Sequence, residues 1–303
     1  MLHLFIINPA AGKQDRTAEL REKISKVMDS NKLSYEIAVT TGPMSATKLV
    51  QDAAAVKEPL YVYACGGDGT LNEVVCGAAG LPHVFVTHYP TGSGNDFIKI
   101  FGKDSKRFFD LNQLLDCDKA ELDLIEVNGR CCINICSMGL DARIGTEISK
   151  YKRLPFVTGN GAYYISLLVN FVKGIHQPMR AEINGQVFEG RYTLACICNG
   201  RYYGGSFNPV PDAMPDDGMM DVLLVEKCSR FKVASLINIY AKGGYRELPE
   251  LITHYRCREA VVSYLKPGPV NVDGELIVAE KAVFKVSDKK VNFFFPKGLS
   301  WVI

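Results

Sequence analysis

The stretch that most restricts this chain is Ala64-Cys65-Gly66-Gly67-Asp68-Gly69-Thr70-Leu71-Asn72-Glu73. An apolar run from Leu60 to Cys65 stops at two glycines, an acid and a third glycine, and a helix-start pattern follows. Thr70 and Glu73 fit Thr-x-x-Glu, in which each side chain caps the other's backbone N–H. The pattern reads as buried strand, tight turn, helix N-terminus. Such a terminus presents unpaired N–H groups and a partial positive charge. Glycines without Cβ let an anion approach that backbone. Asp68 in that company would repel a bare phosphate but could hold a magnesium ion or orient a hydroxyl. Spacing alone leaves an ordinary glycine-rich turn as the alternative.

The residues on either side repeat the strand-then-helix pattern. Leu2 to Ile7 is a continuous apolar run, as in a buried parallel strand, and ends in Asn8-Pro9-Ala10-Ala11-Gly12-Lys13. That loop is not a Walker loop, because the earlier glycine is missing and Gln14 follows Lys13. Asp15 to Met28 reads as a helix with Leu20, Ile24, Val27 and Met28 on one face. A strand at Ser34 to Val39 ends at Thr40, and a helix covers Ser45 to Val56. The helix of the glycine turn runs from Leu71 to near Gly80. Val84 to Tyr89 is a fourth strand, ending in Pro90-Thr91-Gly92-Ser93-Gly94-Asn95-Asp96. This alternation predicts a doubly wound, mostly parallel α/β sheet, with ligand beyond the carboxyl ends of its strands. A dinucleotide fingerprint fits poorly, since Phe97 stands where Gly or Ala is needed after Gly92-x-Gly94.

Past a helix at Ser105 to Leu115 the pattern changes. Asn128-Gly129 and Asn184-Gly185 are favoured two-residue hairpin turns, and many short strands follow. They predict an all-β, sandwich-like second domain with helical interruptions at residues 161–174 and Phe231 to Lys242. The expected division is 1–127 for the α/β domain and 128–295 for the second, which takes in the strand Val291 to Phe295. The segment 296–303 would fold back on the first domain. The chain's 303 residues, 47% hydrophobic and 22% charged, suit two globular domains. A net charge of +2 is too small to suggest a nucleic-acid partner. The ten cysteines form no C-x-x-C pair, so they read as small buried hydrophobes in a reducing compartment rather than zinc ligands. The longest apolar stretch, Ala162 to Val172, is about half the length a spanning helix needs. With no signal-peptide pattern at Met1, the expectation is a cytoplasmic protein whose membrane contact is transient and peripheral.

Gly66-Gly67-Asp68-Gly69-Thr70-x-Asn72-Glu73 resembles the nucleotide signature of the diacylglycerol kinase catalytic-domain family. That family includes soluble bacterial lipid kinases and sphingosine and ceramide kinases, with NAD kinases more distant. Asn8-Pro9-x-x-Gly12 and Gly92-x-Gly94-Asn95-Asp96, with Ser93 in the usual Thr place, match its other first-domain loops. Pro211-Asp212-Ala213 to Asp216-Asp217-Gly218, then Asp221 and Asp273-Gly274-Glu275, resemble its second-domain signatures in the same order. The resemblance implies transfer of the ATP γ-phosphoryl group, with Mg²⁺, to a lipid hydroxyl. It implies that Asn8, Pro9, Gly12, Thr40, Gly66, Gly67, Asp68, Gly69, Thr70, Glu73, Gly92, Ser93 and Asn95 hold ATP. Asp68 would lie near the phosphates and Mg²⁺, and Asp273 or Glu275 would be the general base. Asp123 would link water and Mg²⁺ to the Asp68 region. Asp217, with the carbonyls of Met214 and Met219, would hold a separate structural Mg²⁺.

Read without the resemblance, several of these residues have plainer roles. Asp-Gly at 273–274 is a hairpin turn, Asp216-Asp217-Gly218 a turn, and Asp123 a surface strand acid. Tyr163, Tyr164, Ile165, Leu167, Leu168 and Phe171 read as core before they read as a lipid pocket. Arg201-Tyr202-Tyr203-Gly204-Gly205 is a loop that either lines the cleft or covers the sandwich. Lys150, Lys152 and Arg153 read as a solvated face before an anionic-lipid contact. Diacylglycerol is the expected acceptor. Phosphatidylglycerol, a sphingosine-like lipid or a polyprenol is the nearest alternative, followed by NAD kinase and a non-catalytic sensor. A homodimer is a further open expectation.

Overall fold

The computed structural model describes residues 1–151, 169–170, 174–205 and 207–301. The chain begins β1 (Leu2–Ile7), α1 (Thr17–Ser30), β2 (Tyr35–Val39), α2 (Ser45–Ala54), β3 (Leu60–Gly66), α3 (Asp68–Ala78) and β4 (Val84–Pro90). A 3₁₀ segment, Phe97–Phe109, leads to α4 (Leu111–Leu115) and β5 (Cys117–Leu122). The second part holds β6 (Ile125–Val127), β7 (Arg130–Cys132), β8 (Ile135–Gly139), α5 (Leu140–Tyr151), β9 (Gln177–Ile183) and β10 (Gln186–Cys198). It continues with β11 (Met220–Glu226), α6 (Arg230–Ala241), β12 (Ile252–Cys257), β13 (Glu259–Val272) and β14 (Glu275–Val286), and the chain closes on β15 (Val291–Pro296).

The first sheet has six strands in the order β2-β1-β3-β4-β15-β5. Strands β1 to β4 are parallel, because each pair is joined through a crossover helix. The carboxyl ends of β1, β3 and β4 therefore lie at one edge, and all three glycine-bearing loops emerge there. The strands are buried on both faces, with Phe5 stacked on Tyr63 at 4.1 Å.

Strand β15 corrects the sequence reading, which placed it in the second domain. It pairs parallel to β4 and antiparallel to β5. The cause is in its composition: Val291, Phe293, Phe294 and Phe295 are all buried, and a strand buried on both faces needs cover on both. The first sheet supplies it, with Phe294 edge-on to Tyr63 and Phe293 edge-on to Phe97.

The second sheet is antiparallel, with β12-β11-β10-β8-β13-β14-β6-β7 in order and β9 joined to both β10 and β13. The long strands β10 and β13 each pair with β9 along one half and β8 along the other, which curls the sheet into a sandwich-like barrel. Strand β13 is one long strand bent at a register shift between Ser263 and Gly268. Asn128-Gly129 does turn a hairpin, at φ +48° and +78°, but it joins only β6 to β7. Leu122 belongs to the first sheet. The helix expected at Ser105 begins earlier as a 3₁₀ segment, kinks at Gly102 (φ +59°), and restarts at α4. There Asp110 caps it by accepting from Asn112 N at 3.0 Å.

Most of the helix expected over 161–174 lies outside the described residues. So do Tyr163, Tyr164, Ile165, Leu167, Leu168, Phe171, Lys152 and Arg153, and the side chain of Lys150. All ten cysteines are free thiols. Among the described residues no helix is long and apolar enough to cross a membrane.

Candidate active site

Helix α3 starts at Asp68, three residues before the expected Leu71, because Gly67 in extended conformation serves as its N-cap. The expected Thr70–Glu73 capping box therefore does not form. Thr70 lies inside the first turn, and its hydroxyl accepts from Asn8 Nδ2 at 2.9 Å. Glu73 reaches across to cap α2 instead, accepting from Met44 N at 2.9 Å and Ala46 N at 3.0 Å. The N-terminus of α3 has no side-chain cap, so its first N–H groups remain available.

The loops after β1, β3 and β4 stack on one another. A Cβ on Gly92 would come within 2.5 Å of Gly67 Cα, and one on Gly12 (φ +84°) within 2.8 Å of Thr91 O. Those glycines serve loop-to-loop packing. Gly69 is different: a Cβ there would meet nothing within 4 Å, and its φ is not left-handed. A glycine in a first helical turn costs stability without a compensating contact in the protein. Close approach of a ligand to an uncapped helix N-terminus accounts for it, and a nucleotide phosphate fits that cradle. Asn8 closes the loop around it, its Oδ1 accepting from Ala10 N at 3.0 Å. Asn95 (φ +49°) donates from Nδ2 to Gly92 O at 3.0 Å. Thr40 follows β2 at the same edge, its N–H bonded to Ile7 O at 2.9 Å. Pro9 and Ser93 complete two of these loops.

Asp68 is held over this edge from one side. Its Oδ1 accepts from Asp96 N at 2.5 Å and Phe97 N at 3.3 Å. Its Oδ2 lies on the Gly94 side, where a Cβ would come within 2.7 Å. Burial raises the Asp68 pKa, with the Asp96 charge adding to it, while His88 and the two N–H bonds pull it back. His88 is buried below, its Nε2 bonded to Gly66 O at 3.0 Å, and burial lowers its pKa against the opposing pull of the Asp68 charge.

Asp273 sits in the Asp-Gly turn between β13 and β14, at φ +48° with Gly274 at +89°. Its carboxylate is held on every side. Oδ2 accepts from Ile133 N at 2.7 Å, and Oδ1 from Asn134 N at 3.1 Å, Ile135 N at 2.8 Å and the Cys132 thiol at 3.1 Å. Burial pushes its pKa up to about 6 against those bonds. With its side-chain amide oriented to suit its neighbours, the nitrogen of Asn72, on α3, donates to Asp273 Oδ2 at 3.1 Å and to Cys131 O at 3.3 Å. This contact joins the helix that carries Asp68 to the turn that carries Asp273.

Both carboxylates line one cavity of about 850 Å³ between the two sheets. Its polar lining includes Asp68, Asp96, Asn134, Asp141, Asn271 and Asp273, and the rest is mostly apolar, including Leu140, Ile144, Leu194, Val233, Ile237 and Leu251. Tyr203 and Gly204 of the Arg201–Gly205 loop are in the wall. That loop is tied to the first domain, where Lys99 Nζ bonds Asp96 Oδ1 at 2.5 Å and Gly205 O at 2.6 Å. Gly205 N donates back to Asp96 Oδ2 at 2.9 Å. Glu275 faces elsewhere. It lines a second cavity of about 290 Å³ with Asn72, Glu73, Cys76 and Arg130.

Asp123 is not among the residues that line either cavity. Its Oδ2 accepts from Gly218 N at 2.6 Å, and Lys290 Nζ lies 3.3 Å from Oδ1. The side chains of the residues expected to hold a structural Mg²⁺ are engaged with neighbouring groups. Asp217 is ion-paired through Oδ2 with Arg256, and its Oδ1 accepts from Met219 N at 3.0 Å. Arg256 also lies 3.7 Å from Asp221. The sulfur of Met214 takes Arg201 Nη2 at 3.1 Å. Arg256 thus supplies a positive charge beside the Asp217 carboxylate. Among the described residues no three His, Cys, Asp or Glu side chains converge on a metal position.

Asn72 and Asp96 stood inside the quoted motifs without being taken as site residues. His88, Lys99, Asn134 and Asp141 carried no sequence signal, since nothing local announces a contact made between residues far apart along the chain.

Residues 3–127 match the family description "Diacylglycerol kinase catalytic domain", and residues 134–295 match "YegS C-terminal NAD kinase beta sandwich-like domain". The chain belongs to the family these two domains define, and it is a kinase. A diacylglycerol kinase of Staphylococcus carnosus strain TM300 is 26% identical over 296 residues, 97% of this chain and 95% of that protein. One from Staphylococcus aureus strain RF122 is 27% identical, over 97% and 92%. The crystal structure of a diacylglycerol kinase from Bacillus anthracis strain Sterne superposes with a TM-score of 0.69 at 20% identity, covering 98% of both chains. At that identity the likeness concerns the fold.

Proposed function

We propose that this kinase transfers the γ-phosphoryl group of ATP, with Mg²⁺, to a lipid hydroxyl, with diacylglycerol as acceptor and phosphatidate as product. One observation carries the reading: Asp68 and Asp273, from different domains, both line a single, mostly apolar cavity. The relatives' names point to the same acceptor. Bound Mg²⁺–ATP would supply the phosphoryl group and the charge neutralisation that such a transfer needs. Asn8, Gly12, Thr40, Gly66 to Thr70, Gly92, Ser93 and Asn95 would hold the triphosphate at the uncapped end of α3.

The two aspartates then divide the work. Asp68 uses Oδ1 for both of its backbone bonds, which leaves Oδ2 to accept the proton of the acceptor hydroxyl. Asp273 has its lone pairs committed, so it positions the loop that carries Asn134 and the floor of the cavity. The apolar wall takes acyl chains and keeps water from competing as acceptor. Contact with a bilayer would be peripheral and transient, from the cytoplasm. The test is incubation with γ-labelled ATP, Mg²⁺ and a total lipid extract. Labelled phosphatidate is expected. Labelled NADP, or no transfer to any lipid, would overturn the proposal.

A further inference from the structure

We infer that Lys99 is a positioning residue: it latches the Arg201–Gly205 loop over the acceptor cavity and, through Asp96, holds Asp68 in place for transfer. The inference rests on the lipid-kinase reading and adds to it what couples the two domains at the site. Packing fixes where Lys99 points. Phe97, Ile98, Ile100 and Phe101 are all buried around it. Phe97 lies edge-on to Phe293 at 5.3 Å, and Phe101 lies against Phe295 at 5.1 Å. Lys99 is thus the side chain of this run that reaches out of the first domain. Its ammonium bonds Asp96 Oδ1 at 2.5 Å and Gly205 O at 2.6 Å.

The second domain meets it with a turn. Gly204 and Gly205 take left-handed φ of +60° and +85°. In that conformation Gly205 turns both backbone groups toward the first domain: its N–H donates to Asp96 Oδ2 at 2.9 Å, and its C=O accepts from Lys99. A Cβ on Gly205 would meet nothing within 4 Å, so the glycine serves the turn and not packing. Behind the turn, Tyr203 and Phe207 exchange backbone bonds of 2.9 and 3.0 Å. Asn134 Nδ2 donates to Tyr202 O at 2.7 Å, and Asn134 N donates to Asp273. The loop therefore belongs to the Asp273 side of the cavity and meets the Asp68 side at Lys99 and Asp96.

Asp96 relays the contact. Its carboxylate is engaged by the latch, and its backbone N–H donates to Asp68 Oδ1 at 2.5 Å. Whatever fixes Asp96 thus fixes which Asp68 oxygen is spent and which is left for the acceptor hydroxyl. Charge works in the same direction. Asp96 and Asp68 are like charges close together, and the ammonium offsets that repulsion through a charge-assisted bond. Without it, the Gly205 N–H alone would tie Asp96 to the loop. Tyr203, Gly204, Asp68 and Asp96 all line the cavity, so a loosened loop opens that wall to water.

The test compares wild type with Lys99→Met, which keeps the length and removes the charge, and Lys99→Arg, which keeps the charge. The measurements are kcat for diacylglycerol in mixed micelles, ADP formed per phosphatidate formed, and hydrogen exchange of the Tyr203, Gly205 and Phe207 amides without nucleotide or lipid. Lys99→Met should lower kcat about 10- to 100-fold, as misplaced reacting groups do. It should raise ADP per phosphatidate about fivefold, as water takes the γ-phosphoryl group in place of the lipid. Exchange at Gly205 should quicken about tenfold. Lys99→Arg should stay within about threefold of wild type in all three, since a guanidinium still donates to both oxygens. An unchanged kcat and ADP-to-phosphatidate ratio in Lys99→Met would overturn the inference, as would a fall in kcat with loop exchange unmoved. Faster loop exchange in Lys99→Met, with no phosphorylation of any lipid by wild type, would sink the kinase reading and support the latch.

Discussion

Asp68 and Asp273 are the same residue type, half-buried in the wall of one cavity, and their surroundings give them opposite capacities. Asp68 begins a helix and spends a single oxygen on two backbone N–H groups. Asp273 occupies a left-handed turn position and is gripped by three backbone N–H groups, a thiol and the Asn72 amide. The first arrangement leaves a basic atom for chemistry. The second uses the carboxylate as the anchor of a loop. A carboxylate in an active site is therefore assigned by counting its unspent lone pairs as well as by its pKa, since burial raises both.

The largest effect that separates them is kinetic. Asp68→Asn should lower kcat by on the order of 10³, within the range for loss of a general base, with a melting temperature near wild type. Substantial turnover in that variant would move the base elsewhere. Asp273→Ala should instead cost folding stability, about 2–4 kcal/mol, because it leaves several buried N–H groups unpaired. Urea unfolding at pH 7 measures this, and an unchanged midpoint would break the contrast.

The next effect sharpens the second half of the comparison. The Asp273 pKa is raised on folding, from 3.8 to about 6. The folded state thus binds its proton more tightly than the unfolded state. Its contribution is full below about pH 4 and is lost as pH rises through 6, a change on the order of 2–3 kcal/mol. The cost of Asp273→Ala should therefore be larger at pH 4 than at pH 7.5. A cost that grows with pH would contradict the burial argument. The smallest effect concerns Asp217, a third acid from the same motifs, which a guanidinium has already claimed. Arg256→Ala should cost no more than about 1 kcal/mol, as half-exposed pairs do. Chelation by EDTA should leave the apo melting temperature of wild type unmoved, whereas a drop would show that an ion holds this loop after all.

The local pattern of the chain determined a good deal. Continuous apolar runs ending in glycine loops were enough for a parallel sheet with those loops at one edge, since that signal is periodic and short-range. Asn-Gly and Asp-Gly placed three hairpin turns for the same reason, because φ > 0 is a demand on single residues. Only the tertiary structure decided what is made at long range. It put Phe293 to Phe295 in the first sheet, since burial on both faces depends on which sheet has cover to offer. It sent Glu73 to another helix's end, paired Asp217 with Arg256, and set Asp273 against the N–H groups of residues 133–135. A side chain's free lone pairs depend on which donors the fold brings within about 3 Å. The order of residues along the chain does not contain that information in any local form.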